Sequence, residues 1–110
     1  MFEAANLLLT KLVTQELGGV PVEYDDTTGT IGNELVSFID STTGAQALGM
    51  ANAREGQLKL IYMLTDGGNS VVTPSAFISS TITFDDAADL WLGVFLNGEW
   101  KTIYATATVA

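Results

Sequence analysis

Apolar residues are spaced differently on the two sides of Gly18-Gly19. Before the glycines, Ala5, Leu8, Leu9 and Leu12 follow the i, i+3, i+4, i+7 spacing of an amphipathic helix, and the glycine pair supplies a C-terminal stop. Residues 2–17 are therefore the helix candidate, although Val13 and Thr14 would also suit a strand. A helix this short is marginal alone and needs a face to pack on. It either caps its own domain or reaches a neighbouring subunit as an arm, with Leu8, Leu9 and Leu12 as the contact residues.

From Val20 onward the period shortens to two. "VPVEY" (20–24) is extended because Pro21 restricts Val20 and fixes its own φ. "DDTTGTIGN" (25–33) has the chemistry of a loop. "ELVSFID" (34–40) predicts a strand with Leu35, Ser37 and Ile39 on one face and Val36 and Phe38 on the other. Residues 41–57 predict a short strand around Ala47–Met50 between turns, with a short helix as the alternative. "QLKLIYML" (57–64) alternates fully, Leu58, Leu60, Tyr62 and Leu64 against Gln57, Lys59, Ile61 and Met63. "TDGGNS" (65–70) carries a hairpin signal leading into "VVT", which Pro74 ends, and "TITF" (81–84) adds another strand.

The best-specified unit is "LWLGVFL-NG-EWKTIYA". A two-residue type I′ turn at Asn97-Gly98 sets Leu96 opposite Glu99, Phe95 opposite Trp100, Gly93 opposite Thr102 and Trp91 opposite Tyr104. One face of this hairpin then holds Trp91, Phe95, Trp100 and Tyr104 as its structural core, while Leu92/Ile103 and Val94/Lys101 occupy the other. Apolar side chains on both faces of strand 90–96 imply that both faces are covered. Six to eight short strands separated by turns predict an all-β domain over residues 20–110, a compact β-sandwich or jelly-roll-like barrel, preceded by a helix or arm over 1–19.

Composition narrows the function. Only 15% of the 110 residues are charged against 47% hydrophobic, yet no apolar run approaches the ~20 residues of a membrane helix. The surplus points to surface covered by other subunits. Thirteen acidic and four basic residues give a net charge of −9, and Lys11, Arg54, Lys59 and Lys101 are scattered. Phosphate backbones and anionic membranes are disfavoured as partners. Without cysteine or histidine there is no disulfide, thiolate, zinc site or His-based proton shuttle. The N-terminus lacks the basic region of a signal peptide and no Asn-x-Ser/Thr sequon occurs, which fits synthesis in a cytosol.

The candidate chemistry lies at Asp85, Asp86 and Asp89. A glycosidase needs two carboxylates ~5–10 Å apart beside sugar-binding aromatics, but the hairpin register draws Trp91 and Trp100 into the ladder. Clustered carboxylates suit calcium, yet "DDAAD" lacks the D-x-D-x-D-G spacing of an EF-hand loop. A solvated turn with local hydrogen bonds is the favoured reading. "TDGGN" lacks the G-K-[ST] of a phosphate loop, the hydroxyls have no histidine base, and Lys59 and Lys101 read as strand residues with solvent-facing tips. No catalytic residue, metal ligand or cofactor site is expected, and the chain does not read as an enzyme.

Residues 54–104 resemble small β-rich virion proteins of tailed bacteriophages, through "EGQLKLIYMLTDGGNSVVTP" and "TITFDDAADLWLGVFLNGEWKTIY". The resemblance implies a head decoration (cement) protein on the capsid exterior, made in the host cytoplasm. It further implies a homo-oligomer, most simply a trimer, with the major capsid protein as partner. A trimeric fibre-head or receptor/glycan-binding module is the alternative, which exposed tryptophan would favour.

Overall fold

The computed structural model describes residues 20–110, and the candidate helix over 2–17, with Leu8, Leu9 and Leu12, lies outside them. Ten strands follow one another: β1 (Val22–Tyr24), β2 (Thr28–Ile31), β3 (Val36–Asp40), β4 (Gln46–Met50), β5 (Leu58–Thr65), β6 (Ser70–Pro74), β7 (Ile82–Phe84), β8 (Leu90–Leu96), β9 (Glu99–Ala105) and β10 (Thr108–Val109). They form a front sheet ordered β1-β3-β5-β8-β9 and a back sheet ordered β10-β7-β6-β4-β2. Both sheets contribute to one buried cluster, so the domain is the expected all-β sandwich.

Up to β6 the chain changes sheet after every strand. β1, β3 and β5 run parallel in front, and β2, β4 and β6 run parallel behind. Parallel neighbours cannot be joined by a tight turn, and here each connection contains a strand of the opposite sheet. The first six strands thus wind as flattened coils. The coils differ in length, since Val22 faces Ser37 and Ser37 faces Ile61, which leaves no repeat in the sequence. From β7 onward all new strand pairings are antiparallel, and an isolated parallel bridge joins Phe77 to Trp100 of β9.

This winding corrects two expectations. "DDTTGTIGN" is not all loop, because Thr28–Ile31 pairs with Ala47–Met50 as an edge strand. Its one buried side chain is Ile31, so no apolar alternation marked it. "TDGGNS" is a crossover between sheets and not a hairpin, since β5 lies in front and β6 behind. Neither Gly67 nor Gly68 has a positive φ. They serve close approach instead: a Cβ on Gly68 would stand 2.7 Å from the Ala45 nitrogen, and one on Gly67 would strike the Ser41 carbonyl.

The C-terminal hairpin keeps the expected register from Leu96/Glu99 to Gly93/Thr102, with Asn97 at φ 56° and Gly98 at φ 79°. A bulge then intervenes. Leu92 faces Tyr104 and Trp91 faces Ala105, which leaves Ile103 as the extra residue. Tyr104 consequently turns outward, 59% exposed, and is not part of the hairpin core. Its expected place beside Trp91 goes to Phe77, 6.0 Å away edge-to-face, while Thr102 Oγ1 accepts from Trp91 Nε1 at 2.8 Å. Trp100 packs edge-to-face on Trp91 and Phe95 and donates its Nε1 hydrogen to the Ala51 carbonyl at 3.0 Å. Both tryptophans are fully buried.

Gly93 makes room for this cluster. A Cβ there would collide with the Trp91 ring and lie 2.8 Å from the Lys101 carbonyl. Gly93→Ala is therefore expected to cost about 1–3 kcal/mol, the usual range for overpacking. The measurement is a lowered urea midpoint at unchanged slope, and an unaltered midpoint would contradict this packing.

Candidate functional site

The most chemically loaded position is one that sequence reasoning sent to solvent. Lys59 shares its face of β5 with Ile61 and Met63, and all three are fully buried. Its Nζ donates to the carbonyls of Gly32 (2.8 Å) and Glu34 (2.7 Å) and to Ser37 Oγ (2.5 Å), and lies 3.2 Å from Glu34 Oε2. Ser37 in turn donates to the Glu34 carboxylate. The Tyr24 hydroxyl donates to Glu34 Oε2 at 2.8 Å and accepts from the Gly32 amide at 2.8 Å. One ammonium, one carboxylate and two hydroxyls thus close around the β2–β3 connection. The alternation of β5 could have revealed this, since whichever face holds Ile61 and Met63 also holds Lys59.

Burial lowers the Lys59 pKa to about 8, partly offset by the charge and hydrogen bond of Glu34. Burial also pushes the Glu34 carboxyl up, but the Ser37 and Tyr24 hydroxyls and the Lys59 ammonium outweigh it and hold the group below its ordinary value. A serine hydroxyl beside a lysine amine has the composition of a nucleophile and its base. Here Ser37 and Lys59 are both 0% exposed and fully hydrogen-bonded. The arrangement fixes backbone.

The three aspartates form a self-capped turn between β7 and β8. Asp89 Oδ2 accepts from the amides of Asp85 (3.1 Å) and Asp86 (3.2 Å), and the Asp89 amide donates to the Asp86 carbonyl. Ala88, at φ 73°, donates to the Met63 carbonyl, and Met63 donates back to the Asp89 carbonyl. The turn is thereby stitched to the end of β5. Oxygens of the three carboxylates lie within 4.8 Å of one another. The Asp85 carboxyl is pushed up, first by its hydrogen bond with Asp89, then by burial and the charges of Asp86 and Asp89.

A cleft of about 210 Å³ opens beside β1 and β2, lined by Glu23, Tyr24, Asp25, Asp26, Thr28, Gly29, Thr30 and Leu48. Its acidic mouth repels phosphate, in keeping with the sequence charge. The two outer faces of the sandwich differ sharply. Behind, the register aligns Thr28, Ala47, Val71, Thr83 and Thr108 in one row across the sheet, with Thr30, Gly49 and Thr73 in the next. In front, it aligns Glu23 with Phe38, Tyr62 and Leu90, Val36 with Leu60, Leu92 and Tyr104, and Leu58 with Val94 and Lys101. Leu58, Leu64, Leu96 and Tyr104 on that face are exposed, and Phe38 and Tyr62 meet edge-to-face at 6.3 Å. Among the described residues no helix is long and apolar enough to cross a membrane.

No protein-family model matches the chain, and no curated protein matches it.

Two outcomes test this geometry. Lys59→Met takes the ammonium donor from the Gly32 and Glu34 carbonyls and the counter-ion from the Glu34 carboxylate, and is expected to cost on the order of 3 kcal/mol. Between about pH 8 and the ordinary lysine value of 10.5, the unfolded chain holds a proton at position 59 that the folded protein has released. Wild-type stability relative to Lys59→Met therefore rises with pH across that window. Tyr24, pushed above 10.0 chiefly by burial, acts in the opposite sense only at higher pH. Urea titrations at about pH 7.5 and about pH 9.5 read the difference, and a fall would contradict the assignment. Separately, Asp85→Asn, Asp86→Asn and Asp89→Asn leave the melting temperature unchanged or slightly raised, because an amide oxygen still caps the turn and the mutual repulsion is gone. Melting that EGTA lowers and calcium restores would instead reveal a metal site.

Proposed function

We propose that the protein is a structural virion component, a capsid decoration protein that binds the outside of a tailed-phage head as a homo-oligomer. The carrying observation is the outer face of the front sheet. Every described strand outside the front sheet belongs to the back sheet, which packs against the opposite, inner face. The outer face nevertheless presents leucines, valines and aromatics across β3, β5, β8 and β9. Monomeric proteins rarely leave so broad an apolar patch in water, and such patches mark contact surfaces. Over β8 and β9 this face is also where copies of a strongly acidic chain can meet with least repulsion, since Lys101 and Glu99 neutralise each other there at 2.8 Å and the exposed Glu23 stands at the far β1 edge. A second copy of this chain is accordingly its occupant. The resemblance of residues 54–104 to phage virion proteins supplies the setting, the trimer and the major capsid protein as the further partner. Both tryptophans are buried, which removes the stacking surface that would have favoured the glycan-binding alternative.

The test is in two parts. The full chain is expected to sediment as an oligomer, and Leu58→Lys combined with Leu96→Lys to release folded monomers, because both side chains are exposed on that face. Cryo-imaging of purified particles from a culture that produces the chain is expected to place it outside the shell. A monomer at high concentration, or particles that lack the chain, would overturn the reading.

A further inference from the structure

We propose that Asn97 is a site of spontaneous covalent modification and that Glu55 is the residue that restrains it. Asn97 and Gly98 form the exposed tip of the β8–β9 hairpin. An asparagine followed by glycine is chemically labile, since no Cβ hinders the approach of the following nitrogen to the side-chain carbonyl carbon. The Gly98 nitrogen, once its proton has passed to hydroxide, attacks Asn97 Cγ. The new N–Cγ bond closes a succinimide, the Cγ–Nδ2 bond breaks, and the leaving nitrogen takes a proton from water to depart as ammonia. Water then opens the ring at either carbonyl and leaves an aspartyl or isoaspartyl residue at position 97.

The structure places a carboxylate against the first of these steps. Glu55 Oε2 accepts from the Gly98 amide at 3.0 Å and Glu55 Oε1 from the Asn97 amide at 2.8 Å. Attack requires a Gly98 nitrogen without its proton. Removing that proton forfeits the hydrogen bond and sets a nascent anion beside a carboxylate. The same two amides hold the Glu55 carboxyl below its ordinary range, Gly98 contributing most, so the guard is ionised at neutral pH. Ring closure also requires the tip to rotate, and the double clasp holds both residues in the left-handed region. Glu55 is itself firmly placed. Its turn donates from Gln57 to the Arg54 carbonyl at 3.0 Å, and it is tied to β8 by Gly56 to Phe95 at 2.7 Å and Phe95 to Gln57 at 2.9 Å. A carboxylate 43 residues away in sequence is thus fixed on the one peptide nitrogen that would initiate the reaction. An isoaspartyl product would add a backbone carbon to a two-residue turn, and the pairing of Phe95 with Trp100 depends on that turn.

The experiment incubates the full chain, Glu55→Gln and Glu55→Ala in mildly alkaline buffer well below their melting temperatures. It follows conversion at position 97 by peptide mass and by enzymatic isoaspartate assay, with near-ultraviolet circular dichroism of the buried tryptophans to verify folding. Glu55→Ala is expected to convert faster than wild type by on the order of tenfold, the loss of a hydrogen bond to a charged acceptor. Glu55→Gln, with one uncharged acceptor oxygen left, is expected to fall between them. If Glu55 only braces the hairpin, both variants melt lower yet convert at the wild-type rate, and the proposal is overturned. It is equally overturned if wild type converts fastest, which would make the carboxylate a base.

Discussion

A chain that changes sheet after nearly every strand turns its backbone repeatedly at the ends of the sandwich, and carbonyls caught there need donors. An unpaired buried carbonyl costs ~1–3 kcal/mol, so the crossings hold only if side chains reach them. Three polar side chains do so. Lys59 takes the Gly32 and Glu34 carbonyls at the β2–β3 crossing. Gln46 shares its two Nε2 hydrogens among the carbonyls of Tyr24, Asp26 and Asp40, at 3.0, 2.9 and 3.2 Å, while its own oxygen accepts from Ser70. The Ser41 hydroxyl donates to the Gly68 carbonyl at 2.7 Å and accepts from the Gly67 amide, while the Ser41 amide donates to the Thr65 carbonyl. All three are buried, and no buried side-chain polar atom among the described residues is left without a partner. The apolar core fills the space between sheets whose path these groups define.

That division of labour explains what the sequence disclosed. Strands with strict alternation (β5, β8 and the start of β9) were legible because burial of one face is written into every second residue. The hairpin register was legible as far as Gly93, because Asn97-Gly98 admits few geometries. Beyond it the bulge at Ile103 reversed the faces, and nothing local distinguishes Ile103 from Tyr104 as the extra residue. The polar ties were illegible for a different reason. Lys59, Gln46, Ser41 and Glu55 each act on backbone many positions away, and residue type alone sends them to solvent. Only the parity of Lys59 with Ile61 and Met63 offered a clue. Gly67-Gly68 misled in the same way, since glycine signals both a turn and a close approach, and the distinction depends on the loop lying opposite.

The same logic separates the surface into parts with different chemistry. Acidic side chains gather at the loops, around the cleft by β1 and β2 and in the β7–β8 turn. The outer face behind is small and threonine-rich, and the one in front is large and apolar, with Glu23 on β1 and the Glu99–Lys101 pair on β9 as its charges. Among the described residues, the core is supplied by the inner faces of the two sheets and no strand covers the apolar outer face in front. An assembling subunit gains from such a face, because it can be buried while the acidic loops stay in water and keep copies apart except where they fit. With net charge −9 on 110 residues, association through the acidic loops is opposed. Under the proposed assembly, this separation of apolar face from acidic loops sets where copies touch as well as how strongly they hold.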